Sequence, residues 1–142
     1  MLADRAFILD AGVLMEVARG DAGVIHLLQG MDAAGIGLVV PALAVTGAAL
    51  DIGARDEQMA LIRGVARLES AALAGVVTFD DATDLAHGRR AARSLEELWD
   101  VQAALQAVMR GCPVLTTDHA RWKEASREVR GLNVVEIAEL DT

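Results

Sequence analysis

Residues 7–18 read Phe-Ile-Leu-Asp-Ala-Gly-Val-Leu-Met-Glu-Val-Ala. The run Phe7-Ile8-Leu9 has no polar alternation, and Asp10 ends it. A short, continuous apolar run is how a strand covered on both faces reads. Four similar runs follow: Gly37-Leu38-Val39-Val40, Gly75-Val76-Val77-Thr78, Pro113-Val114-Leu115-Thr116 and Leu132-Asn133-Val134-Val135. Helical stretches lie between them. Residues 21–34 carry Val24, Leu27, Leu28 and Met31 on one stripe, and residues 41–53 are apolar on most sides. Residues 56–73 repeat Met59, Ile62 and Val65 at helical spacing. Asp80 is read as the cap of a helix through Arg93. Ser94-Leu-Glu-Glu97 is read as a capping box that starts a helix to Arg110, with Gly111 as its stop. The alternation predicts one α/β domain over residues 1–142, with a central parallel sheet of about five strands and helices on both faces.

In such a sheet the working site lies outside the carboxyl ends of the strands. Asp10 stands at the end of the first strand. Asp118 follows the fourth, two residues past Thr116, which puts those two side chains on one face. Asp100 falls in the second turn of the capped helix leading into that strand. Each aspartate alone is equally a helix cap or a surface charge. Together they predict a shared acidic site, whose mutual repulsion calls for a cation. Oxygen donors of this kind suit Mg2+ or Mn2+. Thr116 is read either as a support for a ligand carboxylate or as an ordinary β-branched strand residue. His119 is read as a surface histidine, and Trp99 and Trp122 as packing residues.

Composition narrows the functions available. The net charge of −8 argues against gripping nucleic acid by bulk electrostatics, so contact with RNA requires a local, cation-bearing site. The same acidity favours a basic protein partner. Aromatic residues make up 3% of the chain, too few for a base-stacking platform. The single cysteine, Cys112, excludes an internal disulfide and a cysteine-based zinc cluster. No run approaches about 18 apolar residues, so no membrane span is expected. Residues 1–10 have no leader pattern, and the expected location is cytoplasmic. No phosphate-cradling glycine motif follows a strand.

The ordered motifs carry a family resemblance. Ile8-Leu9-Asp10-Ala11-Gly12-Val13-Leu14, followed by Ala18-Arg19-Gly20-Asp21, resembles the opening of VapC-type PIN domains. Leu38-Val39-Val40-Pro41-Ala42 resembles their second strand and turn. Trp99-Asp100-Val101-Gln102-Ala103-Ala104 resembles the motif bearing their third acid. Gly111-Cys112-Pro113-Val114-Leu115-Thr116-Thr117-Asp118 resembles the strand bearing the fourth. The resemblance implies a sheet of order 3-2-1-4-5 and a Mg2+- or Mn2+-dependent endoribonuclease. It further implies the toxin half of a toxin–antitoxin pair, with RNA as substrate and a cognate antitoxin as partner. The largely apolar helices over residues 21–34 and 41–53 are read as a face for a homodimer or a groove for an antitoxin helix. It names Asp10, Asp100 and Asp118 as the catalytic, metal-holding residues.

One position departs. The family carries a glutamate six residues after the proline of its second motif, and Gly47 stands there. Asp51, one helical turn on, is the nearest acid that could act through water. Val101-Gln102 also replaces an Ala-His type pair. These departures define a second reading, a catalytically degenerate PIN-like domain that acts as a protein- or RNA-binding module.

Overall fold

The computed structural model describes residues 5–140; the reading of residues 1–10 as lacking a leader therefore falls partly outside the described residues. Five strands, β1 (Ala6–Leu9), β2 (Gly37–Pro41), β3 (Ala71–Ala74), β4 (Val114–Thr116) and β5 (Val134–Glu136), form one sheet of order β3-β2-β1-β4-β5. All four pairings are parallel. Eight helices accompany them: α1 (Ala11–Ala18), α2 (Ala22–Ala33), α3 (Ala42–Ile52), α4 (Asp56–Ala66), α5 (Phe79–Ala91), α6 (Leu98–Arg110), α7 (Lys123–Glu128) and α8 (Ile137–Leu140). A 3-10 turn over His119–Trp122 precedes α7.

Strand alternation sorts the apolar residues into two cores. Phe7, Leu9, Leu38, Val40 and Leu115 face α1 to α4. Ile8, Val39 and Val114 face α6, Trp122 and Ala125. Both faces of the sheet are covered, which is why the central strands read as unbroken apolar runs. The chain turns from one flank of the sheet to the other between β1 and β4, where Ile8 pairs with Val114 and Leu9 with Leu115. That switch point opens a crevice at the carboxyl ends of the strands. Helix α6 runs back against β4, so its first turns lie at that same end.

Local signals account for most helix boundaries. Asp10 caps α1 by accepting from Val13 N at 2.9 Å, and Asp21 caps α2 by accepting from Val24 N at 3.0 Å. Gly111 ends α6 in the left-handed region with φ 66°.

Four expectations are corrected. The third strand is Ala71–Ala74, not residues 75–78, and α4 stops at Ala66. Val76 and Val77 have strand propensity but stand exposed past the sheet edge, whereas Ala71 to Ala74 pair with Leu38 to Pro41. Pairing with β2 overrides the weaker strand propensity of alanine and leucine. Thr78, not Asp80, caps α5, in a box with Asp81. Ser94 starts no helix: its hydroxyl and N–H bind Glu128, and α6 begins at Leu98 after Glu97.

Candidate functional site

Asp10 is fully buried at the end of β1. Its Oδ1 accepts from Val13 N at 2.9 Å and its Oδ2 from the Trp122 indole Nε1 at 3.0 Å. The Thr116 hydroxyl on β4 is also hydrogen-bonded to this carboxylate. Gly12 keeps the approach clear: a Cβ there would lie 2.9 Å from Thr117 Oγ1 and 3.3 Å from Asp10 Oδ1. Burial raises the Asp10 pKa above the usual carboxylate range, and the bonds from Thr116, Val13 and Trp122, with the Arg121 charge, oppose that rise.

Asp100, 3% exposed in the first turn of α6, is the second carboxylate at this end of the sheet. Arg121 joins the two. Its guanidinium pairs with Asp100 Oδ2 and lies 3.9 Å from Asp10 Oδ2. Burial pushes Asp100 up from 3.8 to about 6; Arg121 lowers it, and the neighbouring Asp10 and Glu97 charges raise it. Asp100 Oδ1 is buried without a hydrogen-bond partner, as is Trp99 Nε1 beside it. A cavity of about 220 Å³, lined by Ser94, Leu95, Glu96, Glu97, Asp100 and Arg121, opens next to the pair.

The other expected residues are placed differently. Asp118 is exposed at the start of the 3-10 turn, tied to the site through its N–H, which donates to Thr116 Oγ1 at 3.1 Å. Thr116 itself is buried and contacts Asp10, so it supports a site carboxylate. Asp51 is exposed on α3. His119 is exposed and its Nδ1 lies 2.9 Å from Glu139 Oε1. Gly47 is explained by packing: a Cβ at that position would sit 2.5 Å from the Trp99 ring. The indole therefore covers the place where the family's glutamate would begin. Gln102, the other departure, is buried; it accepts from Leu43 N and donates to Ala74 O, each at 2.9 Å, clamping α6 to α3 and the end of β3.

Arg121 and Trp122 were not among the expected site residues. Arg121 follows Asp118 by three positions and Trp122 by four. That spacing was the available signal, but their contacts to Asp10 and Asp100 arise only from folding.

Among the described residues no group of three or more His, Cys, Asp or Glu lies close enough to hold a metal ion. The donors present do fit a smaller site. Mg2+ is commonly held by one or two carboxylates, with water and substrate phosphate filling its remaining positions. Asp100 Oδ1 is a buried anionic oxygen still lacking a partner, as such a site requires.

No protein-family model matches the chain. No curated protein matches it either. Among solved structures, the crystal structure of PAE2754 from Pyrobaculum aerophilum is similar in fold, with a TM-score of 0.52 and 17% identity over 96% of this chain and 87% of that one. At that identity the likeness shows the architecture alone.

Proposed function

We propose that this chain is a metal-dependent endoribonuclease of the PIN class, the toxin of a toxin–antitoxin pair. The observation that carries the reading is the meeting of Asp10 and Asp100, both buried, at the switch point of the sheet around one guanidinium. Asp10 and Asp100 would hold Mg2+ or Mn2+. When bound, that ion would activate a water and neutralise charge on the scissile phosphate. Trp122, Thr116 and the N–H of Val13 fix the orientation of the Asp10 carboxylate. Asp118, exposed and tied through its N–H to Thr116, would act on the ion through water. The net charge of −8 suits a basic antitoxin and a site that reads RNA locally. Exposed Leu50, Leu73, Val77, Phe79 and Met109 offer apolar surface for the antitoxin or for a second copy of the chain. The proposed location is cytoplasmic; among the described residues no helix is long and apolar enough to cross a membrane.

A second reading, a degenerate PIN-like domain that binds protein or RNA without cleavage, is favoured by one observation: Trp99 packs over Gly47 where the missing acid would stand. The two readings separate on labelled RNA incubated with Mn2+. The nuclease reading expects cleavage by the parent and a loss of at least about 100-fold in Asp10→Asn, the scale of removing a principal catalytic group. Equal cleavage by both proteins, or none by either across a range of RNAs, removes the nuclease reading and leaves the binding module.

A further inference from the structure

Arg121 occupies the space between the only two carboxylates that the fold buries together at this end of the sheet among the described residues. Its side chain is 37% exposed, so it is open to solvent while it binds the pair. Arg121 and Asp100 line a cavity of about 220 Å³, and Glu96 and Glu97 line it too. Both glutamates are exposed and free to receive a cation at little desolvation cost. Asp100 Oδ1 is buried without a hydrogen-bond partner, so the bridge leaves one oxygen of the pair unused. The structure holds the Arg121 charge docked on Asp100 and 3.9 Å from Asp10, with two exposed glutamates lining the same cavity.

We propose that Arg121 is an internal gate on the acidic site, and that its guanidinium and a divalent cation compete for Asp10 and Asp100. The inference rests on the metal-site reading above and adds the regulation of that site. Docked, the guanidinium offsets one of the two carboxylate charges and blocks the ion. Released to the glutamate wall, it leaves both carboxylates to a divalent ion. An RNA phosphate near the cavity mouth would favour release by offering the guanidinium a bidentate partner.

The test needs no RNA cleavage. Mn2+ is titrated into the parent, Arg121→Lys, Arg121→Gln and Arg121→Gln/Asp10→Asn, and free Mn2+ is read by electron paramagnetic resonance. Loss of the competing charge should tighten Mn2+ binding about tenfold in Arg121→Gln, within the usual range of coupling between sites. Arg121→Lys should fall between, and the double variant should show no saturable binding. Affinity in folded Arg121→Gln equal to or weaker than the parent's overturns the gate. Should Arg121→Gln not fold, Glu96→Gln/Glu97→Gln decides: removing the receiving wall should weaken Mn2+ binding several-fold, and an unchanged affinity overturns the proposal. A tightened Mn2+ affinity without RNA cleavage by any variant keeps the gate and removes the nuclease, so the two claims fail separately.

Discussion

Asp10 and Asp100 are the same residue at the same end of the sheet, yet their surroundings differ. Asp10 is enclosed by donors: a helix N–H, an indole N–H and a threonine hydroxyl each bind its carboxylate. Asp100 has one partner, the partly exposed Arg121, and one oxygen with none. The difference follows from position. Asp10 ends a strand and caps the helix that follows, so the backbone itself supplies a donor. Asp100 is the third residue of α6, beside Trp99, whose ring covers Gly47 and whose own N–H is left unmatched. One carboxylate is built into the fold, and the other is held ready for a charge that can leave.

The largest effect that should expose this contrast is truncation. Asp10→Ala strips partners from buried donors and opens a void; a loss of about 3–5 kcal/mol is expected in denaturant unfolding. Asp100→Ala removes a poorly solvated charge, and Arg121 can turn to water; its stability at pH 7.5 should lie within about 1 kcal/mol of the parent or above it. Equal losses for the two would break the comparison.

The next effect is one of pH. Asp100 titrates near 6 in the folded chain against 3.8 ordinarily, so between these values the folded state keeps a proton that the unfolded chain has released. Stability attributable to this group therefore falls as pH rises from about 4 to 6, by on the order of 3 kcal/mol, and is level above that window. Asp100→Asn should remove that part of the slope, read as the difference between the two proteins' unfolding free energies across the window. An identical pH profile for both would contradict the assignment.

Gly47→Glu sharpens the picture from the other side. Adding a side chain where a Cβ would lie 2.5 Å from the Trp99 ring should cost about 2 kcal/mol through overpacking. Combined with Trp99→Ala, the cost should be markedly less than additive, because the two residues compete for one space. Additive losses would show that the indole is not what excludes the acid. The smallest effect belongs to Trp122→Phe, which keeps the ring buried but deletes the bond to Asp10 Oδ2. A loss of about 1–2 kcal/mol is expected, with the larger part above the titration of Asp10, where the carboxylate is charged.

The sequence made the central half of the molecule plain. Continuous apolar runs around Ile8, Val39 and Leu115 announced strands buried on two faces, and Asp10 and Asp100 were legible because their positions relative to a strand end and a helix start are local facts. The edge was less legible. Val76 and Val77 carry the stronger strand propensity, but strand β3 is chosen by pairing with Leu38 to Pro41, which no local window contains. Ser94 satisfied a capping pattern, yet its hydroxyl found Glu128 instead. Arg121 and Trp122 were invisible for the same reason: their role depends on a turn that brings residues past β4 back over the end of β1. Gly47 stands in the sequence as a missing acid, while its cause, the Trp99 ring, is a contact between α3 and the start of α6.

The claim beneath all of this is that Asp10 and Asp100 form one site for a single divalent ion that displaces Arg121. Crystals of the parent protein in saturating Mn2+, measured for anomalous scattering at the manganese edge, address it directly. One peak is expected between the two carboxylates, with the Arg121 side chain turned toward Glu96 and Glu97. Arg121 still bridging the two aspartates, with no manganese between them, would contradict it.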